Sequence, residues 1–148
     1  MERKRNVIRR SAFEYRKKRD RELLEVFNRE LGALPGETVD EVLRRVVECP
    51  SRRFWVSEER ALRVIGSMMN RPLPSGGSAL RHEMLEEIKR RCDLLAVEHP
   101  DWPLSRRVFY VVGREAPRFY LSPYRAHVII CEERRRCRAE MLRRLRRC

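Results

Sequence analysis

The chain writes one segment twice. RRFWVSEERA at 52–61 returns as PRFYLSPYRA at 117–126, an offset of 65 residues. At that offset 46–65 lies on 111–130, with identical pairs at Val46/Val111, Val47/Val112, Arg53/Arg118, Phe54/Phe119, Ser57/Ser122, Arg60/Arg125, Ala61/Ala126 and Ile65/Ile130. Trp55/Tyr120 is a conservative pair, and an offset of 61 lays ELLEVFNR at 22–29 on EMLEEIKR at 83–90. Self-similarity at a fixed period fixes the building block, here about 60 residues used twice.

Each block reads as three helices. In the first, Ser11 with Glu14 has the form of a capping box, and Leu23, Leu24, Phe27 and Leu31 make an apolar stripe at helical spacing. Gly32 and the Pro35–Gly36 pair end that helix. Thr38 with Glu41 opens a second, carrying Val39, Leu43, Val46 and Val47 until Pro50. Ser57 caps a third with Ala61, Val64, Ile65 and Met68. The second block repeats the plan with Leu80, Met84, Leu85, Ile88, Cys92 and Leu95, then Leu104, Val108, Val111 and Val112. Ser122, followed by Pro123 at a first helical position, opens its last helix.

The expected fold is therefore all-α, with two tandem three-helix modules resembling a helix-turn-helix. The expected division is a basic arm at 1–10, a first module at 11–70, a Pro/Gly-rich linker at 71–78 and a second module at 79–148. Phe54 and Phe119 read as core wedges at the joints between second and third helices.

Charge is concentrated at the ends. Of a formal net charge of +13, residues 1–21 hold ten Lys or Arg against three acids (+7), and 131–148 hold eight Arg against three Glu (+5). The interval 22–130 is left with 17 basic and 16 acidic residues (+1). Lysine occurs only at Lys4, Lys17, Lys18 and Lys89. Arginine presents a planar fork of donors that matches phosphate and guanine edges. The pattern predicts a nucleic-acid partner, with DNA favoured over RNA. Arg3, Lys4, Arg5, Arg9 and Arg10 at one end, with Arg134, Arg135, Arg143, Arg144, Arg146 and Arg147 at the other, are the candidate phosphate contacts. Arg60, Arg63 and Arg125 on the third helices are candidates for base readout, supported by Arg52, Arg53 and Arg118 at the joints. RNA, with Trp55 or Tyr120 stacked on a base, is the alternative partner, and an acidic protein a third. Cys137, Met141, Leu145 and Cys148 form a narrow apolar seam on the last helix, which offers a route to a homodimer.

Other chemistries find little support. His127 and Cys131 are four apart on a helix, yet no second ligand pair has zinc-site spacing, so no metal or cofactor is expected. PSGGS at 74–78 lacks the Gly-Lys-Ser/Thr ending of a phosphate loop, and no nucleophile motif accompanies the histidines, so the chain reads as non-enzymatic. No stretch reaches the roughly 18 apolar residues of a membrane span, and the start has no apolar run behind its charges. Five cysteines without CxxC spacing point to free thiols and a cytoplasmic location.

The RFWVSEERA and PRFYLSPYRA segments resemble those of small, basic, uncharacterised bacterial proteins, a set that extends to mobile elements. The resemblance covers most of the chain and implies an all-helical bacterial protein.

Overall fold

The computed structural model describes residues 2–73 and 76–148, with described side chains beginning at Tyr15. Among the described residues the chain is all-helical: α1 Glu2–Glu30, α2 Val39–Val47, α3 Glu58–Met68, α4 Ala79–Glu98, α5 Leu104–Val112 and α6 Pro123–Arg147.

Three of the sequence-based starts are seen as hydrogen bonds. Thr38 and Glu41 close a capping box at α2, and the Ser57 and Ser122 hydroxyls accept from the backbone N–H of Arg60 and Arg125 at α3 and α6. Each satisfies one of the donors that the first helical turn leaves without a partner. The start expected at Ser11 is not used, because α1 runs unbroken from Glu2 through Ser11. The expected separation of an arm at 1–10 from a module beginning at 11 is absent from the backbone for the same reason.

The helices group into two compact units, and neither is a contiguous block. One unit comprises the chain up to Cys49 together with Leu121–Cys148, and in it α1, α2 and α6 pack on one another. The other comprises Pro50–Tyr120, in which α3 and α4 both pack on α5. The expected modules 11–70 and 79–148 are thus corrected: each unit takes its third helix from the other block. The helix-turn-helix reading fails at the same point, since it needs the second and third helices of one block to share a unit.

The joint between α2 and α3 accounts for this. Phe54, fully buried, donates its backbone N–H to the Val112 carbonyl at 3.1 Å. It enters the core formed by Val56, Ala61, Ile65, Met84, Ile88, Cys92, Val108, Val111, Val112 and Ala116. A buried aromatic of this kind is worth roughly 3–5 kcal/mol against truncation, enough to commit the chain that follows it. Ser51 and Ala116 form an isolated antiparallel bridge in the same unit. In the other unit Leu23, Val26 and Phe27 of α1, Val42, Leu43, Val46 and Val47 of α2, and Ala126, Ile129 and Ile130 of α6 are buried. Leu31 and Val39, expected in that core, are 46% and 49% exposed. Leu31 lies just past the end of α1, and Gly32 turns the chain away with φ +81°.

Candidate nucleic-acid interface

The second half of α6 is basic and exposed. Its first half is held by Ala126, Ile129, Ile130 and the buried Glu133, but from Arg134 onward almost every residue faces solvent. Arg135, Arg138, Arg143, Arg144, Arg146 and Arg147 have no acidic side chain within ion-pair distance among the described residues. Two neighbours are engaged instead. Arg134 lies over the Phe27 ring at 4.9 Å, and Arg136 reaches both Asp20 and Glu133 at 3.7 Å. Asp20 and Glu133 are themselves buried, at 6% and 5% exposure, so Arg136 balances carboxylates that water barely reaches. The seam residues Met141 and Leu145 are 64% and 66% exposed, with Leu142 beside them at 51%.

The remaining sequence candidates divide sharply. The side chains of Arg3, Lys4, Arg5, Arg9 and Arg10 lie outside the described residues. Arg53 is turned onto the protein's own backbone, its Nε donating to the Phe54 carbonyl at 3.1 Å and its Nη2 to the Val56 carbonyl at 3.0 Å. Arg118 donates to Glu83 at 3.4 Å and stands over the Tyr120 ring at 5.7 Å, as Arg53 stands over Trp55 at 5.5 Å. Both arginines pin the joints. Tyr120 is a non-glycine residue in the left-handed region, φ +56°, and its ring stacks on Phe54 at 6.1 Å. Trp55 and Tyr120 are half-buried in these contacts. Arg52 is exposed next to the Ser51 bridge. Arg60 and Arg63 are exposed on α3, but Glu58 and Glu59 occupy its first turn and offset the positive helix terminus that would attract phosphate. Arg125 on α6 has no acid in its first turn and stands beside Tyr124, which is 78% exposed.

One basic surface escaped the sequence reading. Trp102, Arg106, Tyr110 and Arg114 recur every four residues on and around α5. The turn before α5 is closed by a hydrogen bond from the Trp102 N–H to the His99 carbonyl at 3.0 Å, which stacks the two rings at 4.1 Å. Arg106 stands over Trp102 at 4.2 Å and Arg114 over Tyr110 at 4.1 Å, while Trp102 and Tyr110 meet edge to face at 5.6 Å. The four-residue alternation of aromatic and arginine is the signal that could have found it.

A shallow depression of about 350 Å³ is lined by Glu83, Glu86, Glu87, Arg90, Arg118 and Tyr120. Three carboxylates make it unsuited to an anion. Among the described residues no three His, Cys, Asp or Glu side chains are grouped to hold a metal ion, and no helix is long and apolar enough to cross a membrane. No family model matches the chain, and no curated protein or solved structure matches it either.

Proposed function

We infer that the protein binds nucleic acid through its phosphate backbone and does so without catalysing a reaction. The observation that carries this is the second half of α6, where six exposed arginines have no acidic partner among the described residues. Arg45, Arg90 and Arg91, by contrast, are each held by a carboxylate. Leaving six close together without one maintains a field that a polyanion can neutralise, with release of its counterions. Phosphate contacts of this type fix position on a nucleic acid and carry no sequence information directly. Base readout by Arg60 and Arg63 has less behind it, given the acidic start of α3.

The test is fluorescence anisotropy of the full chain against duplex DNA, duplex RNA and single-stranded RNA over a salt series. Binding that weakens steeply with salt supports the reading, because each neutralised phosphate adds about 0.7–0.9 to the log–log slope. Absence of binding at low salt, or association that salt leaves unchanged, overturns it.

A further inference from the structure

We propose that the outer face of α5 is a stacking platform for the unpaired bases of a single-stranded nucleic acid, with Phe109 as the open ring and Arg106 one helical turn before it. The inference rests on the nucleic-acid reading above and adds the form of the ligand.

Phe109 is 43% exposed, and among the described residues neither a ring nor a cation lies against it. Its neighbour Tyr110, 42% exposed, already has Arg114 over it and Trp102 at its edge. A helical side chain covers the surface one turn toward the N-terminus, so the residue best placed to shield Phe109 is number 113. That residue is glycine, with φ −78°. A Cβ there would meet only backbone carbonyl oxygens, the nearest that of Phe109 at 3.6 Å, an ordinary contact. Neither backbone nor space requires glycine at this position. The corresponding position 65 residues earlier is Glu48, which closes α2 in the same right-handed conformation with a full side chain. Glycine therefore leaves an aromatic ring uncovered where the fold would accept a cover.

The same offset shows that the aromatic cluster is not needed to build the helix pair. The positions matching Trp102, Arg106 and Tyr110 are Glu37, Glu41 and Arg45. There Arg45 binds Glu37 and donates from Nε to Glu30 at 2.9 Å, an ion-pair network that ties α1 to α2. One unit closes this corner with ion pairs; the other closes it with rings and arginines and leaves Phe109 facing water. Bases offer a π-face to such a ring and phosphates an acceptor to the Arg106 guanidinium one turn away, the combination by which single strands are held without sequence preference. Paired bases inside a duplex cannot offer that face.

The experiment compares full-length protein binding to a fluorescent oligothymidylate, to its abasic counterpart of equal length, and to polyglutamate. The wild-type chain should bind the oligothymidylate on the order of tenfold more tightly than the abasic strand, as one stacked base implies. Phe109→Leu, which keeps an apolar side chain, should abolish that preference while abasic-strand binding stays the same. Phe109→Trp should retain it and shows that the site tolerates substitution. Equal binding of both strands by the wild-type chain overturns the platform and leaves phosphate binding standing. Failure to bind either strand overturns both readings. Polyglutamate binding that matches the oligothymidylate and falls in Phe109→Leu also overturns the platform, in favour of an acidic protein partner.

Discussion

Ser51 and Ala116, 65 residues apart, exchange both of their backbone hydrogen bonds: Ser51 N–H donates to the Ala116 carbonyl at 2.9 Å and Ala116 N–H to the Ser51 carbonyl at 2.8 Å. Both residues are 1% exposed, so neither pair has water as an alternative partner. The separation equals the repeat offset, which makes the pairing one of matching positions in the two blocks. Proline at 116 removes one donor and strands a buried carbonyl. Ala116→Pro should cost about 1–3 kcal/mol in urea denaturation, whereas Ala116→Ser, which keeps the donor, should cost less.

The exchange of third helices predicts where a core mutation is felt. Ile65 on α3 is fully buried, and α3 packs with α4 and α5. Ile65→Ala should destabilise by about 2–5 kcal/mol. Hydrogen exchange should then lose protection along α4 and α5 first, and not along α2, although α2 directly precedes α3 in the chain. The reverse holds for Ile130→Ala, whose helix packs with α1 and α2. Loss of protection confined to α1 and α2 in Ile65→Ala would contradict the grouping of helices.

These two sites show where sequence patterning stops being informative. Ser57, Ser122, Thr38 and Glu41 announce helix starts through local chemistry, and local chemistry decides them. Ala61 and Ile65 on α3 are matched by Ala126 and Ile130 on α6, so either third helix presents the same stripe to either pair of partners. Periodicity states that a stripe is buried but not against which helices. That choice is made by Phe54 and the Val112 carbonyl, a pairing between residues 58 apart in the chain. The α6 arginines were legible as charge. Arg53 and Arg118 were legible as charge too, but their engagement with the joint depends on a backbone path that composition does not encode. The α5 surface is written in the four-residue alternation of aromatic and arginine, which is masked by the segment HPDWP at 99–103, whose two prolines read as a helix break.

Stability should fall on acidification through a small set of carboxylates. Glu87 is held by Arg90 first and by Arg91, which bring its carboxyl down to about 2 from an ordinary 4.5 despite the opposing effect of burial. Arg45 likewise lowers Glu30 and Glu37. A carboxylate depressed in the folded state stabilises fully above its unfolded value and loses that contribution as pH falls toward its folded value. For Glu87 the window runs from 4.5 down to about 2. Glu87→Gln should lower the urea midpoint at neutral pH and flatten its decline across that window. An acid limb as steep as that of the wild-type chain would remove Glu87 from the set.

The thiols should separate by reactivity. Burial pushes Cys92 up to about 11 from an ordinary 9.0, while Cys137 and Cys148 are exposed. Thiolate is the reacting form, so iodoacetamide at about pH 8 should label Cys137 and Cys148 in the native chain. Cys92 should be modified only in denaturant, as read by peptide mass spectrometry. Native labelling of Cys92 at a rate like that of Cys137 would mean that α4 opens far more readily than its packing implies.

The basic half of α6 offers the sharpest division between structural and ligand-facing arginines. Arg143, Arg144, Arg146 and Arg147 are exposed and without acidic partners among the described residues, so glutamine at all four should leave the denaturation midpoint nearly unchanged. Every phosphate that these side chains no longer neutralise should lower the salt slope of nucleic-acid binding by about 0.7–0.9, and affinity at low salt should fall with it. Arg53→Gln should do the opposite. It removes donors from the Phe54 and Val56 carbonyls, so stability should drop by about 1–3 kcal/mol while the salt slope is retained. Arg60→Gln and Arg63→Gln should change the salt slope little, because the acids of the first turn of α3 already weaken its attraction for phosphate. A salt slope that survives the α6 substitutions and collapses with those on α3 would move the interface from the end of the chain to the third helix.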